Sequence, residues 1–184
     1  MTTDKDLSGF DEPFAMLAAC HDRLRCSLRL LEQLRKYLAS NAVDEQARQA
    51  ALEILRYFTV AAPLHHKDEE RHVVPLLRLS GERALGEVSL QLMQDHEQIR
   101  LVWRTLEPLL REVVRGESPH AGRLADRART FVRMNESHLE FERDVVFPQA
   151  RELQGRDGPA ARPVMRQDMA RRRPSGAERR RERY

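Results

Sequence analysis

A three-residue pattern occurs twice in this chain of 184 residues, and it restricts the fold more than any other feature. In each copy a histidine is followed four residues later by a glutamate, and a proline stands six residues after the glutamate. The two copies consist of His65, Glu69 and Pro75, and of His138, Glu142 and Pro148. Residues four apart on an α-helix lie on the same face, about one turn apart. Each copy therefore predicts a helix that presents an imidazole and a carboxylate to one side.

The first copy contains a second histidine–glutamate pair with the same spacing. His66 and Glu70 lie one residue further along the chain, about 100° round the helix. Only His65 and Glu69 keep the distance to Pro75 that the second copy keeps to its own proline. We therefore assign His65 and Glu69 to the inward face and predict that His66 and Glu70 face outward. The reverse assignment is the alternative.

The pattern belongs to a repeat that covers both halves of the chain. His21 and His96 begin the similar segments HDRLR and HEQIR, and each interrupts a stripe of apolar residues with helical spacing. Such stripes predict four long helices, over about 11–39, 44–79, 82–115 and 118–153. Pro63 and Pro75 are expected to bend the second helix. Short connections make consecutive helices antiparallel, so we predict an all-α, up-and-down four-helix bundle.

The interior of such a bundle would contain four imidazoles and two carboxylates. These residues are His21, His65, Glu69, His96, His138 and Glu142. On the fourth helix Phe131, Met134 and Val145 are also expected to face inward. A lone inward histidine is usually a hydrogen-bonded core residue, but a buried carboxylate without a counter-charge is costly. No lysine or arginine falls in the same layer, so we predict that bound metal ions supply the compensating charge.

The number and type of these ligands narrow the choice of metal. Six ligands exceed the needs of one tetrahedral zinc ion, and mixed imidazole and carboxylate ligands suit iron or manganese. Two iron ions bridged by both glutamates would use all six, with zinc or manganese as possible substitutes. Ferritin-like proteins use Glu-x-x-His instead, the reverse of the order seen here.

Three further residues lie near the predicted cluster. His72 stands seven residues after His65, where it could supply an extra ligand or a hydrogen bond to one, or could lie one layer away. Arg25 and Arg100 stand one turn past His21 and His96. They could orient the glutamates or guard an entrance, or they could lie on the surface with their stems packed over the core.

Composition agrees with a helical protein of the cytoplasm. The chain has only eight glycines and nine prolines, and leucine, alanine, arginine and glutamate are abundant. No stretch reaches the roughly 18 apolar residues of a membrane helix, and no secretory signal is visible. Two cysteines are too few for a disulfide framework. We therefore expect a cytoplasmic location without membrane contact.

Charge separates the C-terminal end from the rest of the chain. Residues 155–184 contain ten arginines and four acidic residues, a net +6, so the remainder carries −3 of the total +3. We predict a flexible N-terminus at 1–10, the bundle at 11–153, and a basic, largely disordered extension at 154–184. One short helix is expected in this extension, at about 159–173. The arginine-rich tail could contact an acidic protein or a nucleic acid.

Together these motifs resemble the hemerythrin-like, HHE cation-binding family over about residues 11–153. The resemblance is carried by ACHDRLR around His21, HHKDEE from His65, QDHEQIR around His96 and ESHLEFERD around His138. It implies a non-haem di-iron centre in a four-helix bundle. It also implies a protein that binds or senses oxygen or nitric oxide. A di-iron enzyme acting on oxygen, peroxide or nitric oxide, an iron-centre repair protein, and an iron storage or delivery protein are the alternatives.

Two positions depart from the oxygen-carrying hemerythrins. Those proteins have a second histidine on the third helix where this chain has Arg100. Their fourth-helix motif ends in an aspartate five residues after the histidine, whereas Glu142 stands four residues after His138. The pattern is closer to HHE proteins associated with nitric-oxide stress and iron-centre repair. Those proteins carry an additional N-terminal cysteine-bearing domain, which has no counterpart in these residues.

Overall fold

The computed structural model describes residues 13–156 and 161–171 of the chain. In these residues there are seven α-helices, two short π-helical segments and no strand. The α-helices are α1 (Pro13–Tyr37), α2 (Glu45–Arg56), α3 (Ala62–Leu79), α4 (Arg83–Val114), α5 (Ala121–Phe141), α6 (Phe147–Arg156) and α7 (Ala161–Arg171). The π segments are π1 (Tyr57–Ala61), between α2 and α3, and π2 (Glu142–Val146), between α5 and α6. The predicted all-α class is confirmed, because α1, α2–π1–α3, α4 and α5–π2–α6 match the four expected helices.

Short connections hold the successive helices beside each other, and the one before α2 is capped by a side chain. The Asp44 side chain accepts a hydrogen bond from the Ala47 backbone N–H at 2.9 Å and another from the Tyr37 hydroxyl at 2.6 Å. This pair of bonds caps α2 and ties it to the end of α1. Gly81 and Gly116 adopt positive φ angles of 73° and 79°, which glycine reaches without steric cost. They form the turns that precede α4 and follow it.

The core consists of two apolar clusters with a polar layer between them. One cluster includes Leu24, Ala62 and Ile99, and the other includes Leu17, Val73 and Leu92. On α1, α3 and α4 the change from one cluster to the other occurs over seven to eleven residues. The inward histidines of these helices stand inside that interval. The bundle therefore places its polar residues at one level along the axis.

Both π segments lie immediately upstream of a proline. Pro63 and Pro148 have no backbone N–H, so each leaves a carbonyl without its α-helical partner. In the π segments the Ala62 N–H donates to the Tyr57 carbonyl, and the Phe147 N–H donates to the Glu142 carbonyl. These bonds span five residues rather than four, which inserts one extra residue into the turn.

The π2 segment changes which residues of the fourth helix face inward. Val146 has no exposed surface, whereas Val145 is only half-buried. The prediction that Val145 faces inward is therefore wrong by one residue. Its physical reason is the extra residue of the π turn, which a strict helical period does not include.

The short helix expected near the C-terminus is present as α7. Met165 and Met169 are buried against the cluster that contains Leu17 and Val73. Residues 1–12, 157–160 and 172–184 lie outside the described part. The flexible N-terminus at 1–10, the disorder of the basic extension and its binding partner therefore stay predictions. Among the described helices, none is both long and apolar enough to cross a membrane.

Truncating a buried leucine of α4 should destabilise the bundle strongly. Leu106 has no exposed surface, whereas Leu101 on the same helix is 37% exposed. Leu106→Ala is expected to lower the free energy of unfolding by about 2–5 kcal/mol, because it leaves a cavity. Leu101→Ala should change it by less than about 1 kcal/mol. Urea titrations followed by circular dichroism, with a chelator present, measure both, and equal losses would contradict the assigned core.

Candidate metal centre

The structure brings the six predicted ligands together in the polar layer. They come from α1, α3, α4, α5 and π2, and all of them are buried. Their exposed fractions are His21 4%, His65 3%, Glu69 0%, His96 0%, His138 2% and Glu142 0%. The helical spacing of each histidine–glutamate pair places its imidazole and carboxylate on the same inward face, as the sequence predicts.

The two glutamates occupy the middle of the cluster. Glu142 places one oxygen 2.9 Å from His21 Nε2 and the other 2.8 Å from His138 Nε2. Glu69 likewise places one oxygen 3.4 Å from His65 Nε2 and the other 3.3 Å from His96 Nε2. Each carboxylate thus spans two imidazoles from different helices.

This arrangement divides the cluster into two adjacent groups that share both carboxylates. One group comprises His21, His65, Glu69 and Glu142, and the other comprises Glu69, His96, His138 and Glu142. Within each group, one potential ligand atom from every residue lies within 4.8 Å of the others. Two neighbouring cations bridged by two carboxylates would satisfy both groups.

The short contacts in the cluster lack hydrogen-bond geometry. Ten nitrogen and oxygen atoms of the six residues are buried without a hydrogen-bond partner among the described residues. A buried polar atom left unbonded costs about 1–3 kcal/mol. Nitrogen and oxygen lone pairs that converge without hydrogen-bond geometry fit bound metal ions.

Charge in the protein-only cluster is distributed unequally between the carboxylates. Burial and the negative charge of Glu142 raise the pKa of Glu69 to about 8. Burial alone would also raise the pKa of Glu142, but the His138 charge and neighbouring imidazoles outweigh it and hold that pKa well below its usual value. Without a cation, Glu142 is therefore the carboxylate that stays ionised, and Glu69 holds a proton near neutral pH.

The imidazoles respond in opposite directions to the same surroundings. Burial lowers the pKa of His65 to about 3, so this ring is neutral. For His96, burial is outweighed by contacts with Glu142, Glu69 and Glu70, which raise its pKa to about 11. For His138, burial is outweighed first by the negative charge of Glu142, and its pKa rises to about 9. In the absence of a cation, protonated His96 and His138 therefore supply the positive charge beside the carboxylates. A bound cation would supply that charge instead.

A second carboxylate orients His96 from outside the cluster. The His96 Nδ1–H donates a hydrogen bond of 2.9 Å to Glu70, and Glu70 also accepts one of 3.1 Å from Arg100. This chain fixes the ring so that Nε2 faces the bridging glutamates, a common arrangement behind metal-bound histidines. The prediction that Glu70 faces outward is therefore wrong. Its side chain is only 27% exposed, because α3 packs closely against α4.

His66 is also buried, which corrects its assignment to the outward face. Its exposed fraction is 4%, and its ring stacks on His96 with centroids 4.1 Å apart. A perpendicular contact with His138 has a centroid separation of 5.5 Å. Because α3 packs against both α4 and α6, the continuation of α5 beyond π2, two adjacent positions on α3 face the interior. The doubled HHxxEE motif was the sequence signal for this second inward pair.

The remaining candidates lie away from the cluster. His72 Nε2 is 2.9 Å from Asp168 of α7, so it lies one layer away, next to the C-terminal helix. Arg25 lies 3.6 Å from Asp22 at the surface. Arg100 is exposed and contacts Glu70 and Glu97 rather than either bridging glutamate. For each of these residues the sequence allowed either a role at the cluster or a position away from it, and the structure shows the second.

Comparison with known proteins agrees with this geometry. The profile of the hemerythrin HHE cation-binding domain matches residues 12–157. An uncharacterized protein of Haemophilus influenzae is 29% identical over 149 residues, which cover 80% of this chain and 84% of that protein. The matched region contains all six clustered residues.

Metal binding to this cluster should release protons and strengthen as pH rises. Glu69, His138 and His96 have pKa values of about 8, 9 and 11, so each holds a proton near neutral pH that a cation must displace. Fewer protons compete at higher pH, so affinity for Zn²⁺, a redox-inert probe, should increase between about pH 6 and pH 8. Calorimetric titrations in two buffers of different ionisation enthalpy measure the released protons. Identical apparent enthalpies in both buffers would contradict this expectation.

Proposed function

Because the chain belongs to the hemerythrin HHE cation-binding family, we propose that its buried cluster holds two iron ions and binds or senses oxygen or nitric oxide. The observation that carries this proposal is the pair of carboxylates shared by the two ligand groups. Nitrogen and oxygen ligands without a thiolate suit iron. Bridging carboxylates inside a helical bundle are an established way to hold two such ions.

The number of protein ligands supports binding of a further small molecule. Six residues shared between two ions provide fewer ligands than two complete octahedral shells need. A pair of iron ions held by these residues would supply redox chemistry toward diatomic gases. The protein's part is to hold the ions at fixed positions and leave room beside them.

The surroundings of the cluster favour an uncharged ligand. Phe147 stacks on His21 with ring centroids 5.1 Å apart, and apolar clusters lie on both sides of the polar layer. These side chains exclude bulk water from the histidines and glutamates. A small, weakly polar gas enters such a site at lower desolvation cost than an anion or a hydrated molecule does.

Removing either bridging glutamate should abolish the centre. Protein produced with iron is expected to contain about two irons per chain and to show near-ultraviolet absorption typical of bridged iron. Glu69→Ala and Glu142→Ala should lose the iron and the absorption, since each removes a ligand from both groups. Glu140→Ala removes an exposed glutamate of α5 and serves as the matched control. Elemental analysis and optical spectra measure the outcome.

Exposure of the reduced protein to oxygen or nitric oxide then tests the ligand. Reversible, stoichiometric spectral change is expected, and a chelator should lower the melting temperature because bound ions stabilise the fold. Continuous consumption of the gas would identify an enzyme instead. A wild-type chain that folds without metal and is unaffected by either substitution would refute the iron centre.

A further inference from the structure

Among the described residues, His66 is the one buried imidazole near the cluster that the six-ligand set leaves unused. We infer that His66 is a third imidazole ligand on the His96–His138 side of the centre. This inference rests on the proposed metal centre and adds a seventh protein ligand to it.

The position of His66 fits this role. Potential ligand atoms of His66, His96 and His138 all lie within 4.8 Å of one another, and all three residues are buried. The His66 ring is nearly parallel to that of His96, with 10° between the ring planes. It meets the His138 ring almost at a right angle, 85°. The nitrogens are close enough for one cation to contact all three. An imidazole binds a metal through a lone pair in the plane of its ring, so the His66 ring must rotate out of its stack on His96 to do so.

The hydrogen bonding of His66 does not fit a ring that serves only to fill space. Its Nε2 is buried and has no hydrogen-bond partner among the residues that the structure describes. His72, six residues further along α3, shows the ordinary outcome, because its Nε2 reaches Asp168 at 2.9 Å. An unbonded nitrogen in the interior is destabilising unless another group completes its coordination.

The turn of α4 that follows His96 adds no further ligand, and α3 could provide one in its place. One turn beyond His96, α4 carries Arg100, which is exposed and directed to Glu70 and Glu97. That turn of α4 contributes no nitrogen to the cluster. His66 lies across the interface from the same turn, and both residues border a cavity of about 290 Å³.

A seventh ligand would make the two sides of the centre unequal. The His96–His138 side would have three imidazoles, whereas the His21–His65 side would have two. With the carboxylates shared, the side with two imidazoles has more coordination positions left for an exogenous molecule. The inference therefore identifies the His21–His65 side as the one that binds the small ligand.

Replacement of His66 by phenylalanine tests this directly. His66→Phe keeps a ring that can stack on His96 but removes both nitrogens, and His72→Phe is the matched control on the same helix. Anaerobic Fe²⁺ and Zn²⁺ titrations against a competing chelator give the stoichiometry and the two affinities. We expect His66→Phe to retain one ion and to bind the second at least about tenfold more weakly, because loss of a group that only hydrogen-bonds a ligand already costs about ten- to hundredfold. His72→Phe should bind both ions as the wild type does.

A second variant provides a rescue experiment that does not depend on the phenylalanine. His66→Ala leaves a space next to the 290 Å³ cavity, into which free imidazole can enter. Added imidazole should restore the affinity for the second ion in His66→Ala and leave the wild type unchanged. This comparison decides the question if His66→Phe does not fold.

The outcomes separate this inference from the proposed function. Two ions bound with wild-type affinity by His66→Phe, or by His66→Ala without imidazole, would overturn the role of His66 and leave the six-ligand centre intact. A wild-type chain that binds fewer than two ions would refute the centre itself, and the inference with it. Equal weakening in His66→Phe and His72→Phe would indicate a packing effect and also overturn the inference.

Discussion

Two carboxylates, Glu69 and Glu142, are completely buried in the middle of a helical bundle, and the rest of the structure depends on how they are accommodated. Burial of ionised groups is too costly to persist without compensation. Four imidazoles from four different parts of the chain converge on these two side chains. The helices must therefore keep a common register, since a slip of one residue would rotate a histidine away by about 100°.

Prolines and π turns keep this register on the second and fourth helices of the bundle. π1 ends two residues before Pro63 and four before His65, and π2 begins at Glu142 itself. An inserted residue rotates everything beyond it relative to everything before it. The second glutamate thus stands where the helix changes phase.

Much of this arrangement could be predicted from the printed sequence. Spacing placed His65 with Glu69 and His138 with Glu142 on common faces, and the internal repeat added His21 and His96. These inferences need only helical periodicity, which is strong in long apolar stripes. The four-helix architecture followed from the same stripes and from the short connections between them.

The errors have equally specific causes. His66 and Glu70 were assigned to the outward face because only His65 and Glu69 stand at the same distance from a proline as the second histidine–glutamate pair does. In the structure α3 is enclosed on two sides, and both pairs are at least partly buried. Val145 was misplaced because a π turn cannot be read from a 3.6-residue period. The hydrogen bond from His96 to Glu70 joins residues 26 positions apart, and no local pattern predicts it.

The polar layer between the two apolar clusters also has a consequence for cooperativity. Each cluster is a small core. α1, α3 and α4 run through both, and the histidines and glutamates lie between them. Ions that cross-link these side chains would couple the two cores into one unfolding unit. Without the ions, only the helices themselves would couple the two cores, and we expect the ends of the bundle to open more independently, as regions with their own hydrogen-exchange protection. Metal binding would then change the rigidity of the whole bundle, rather than move a single residue.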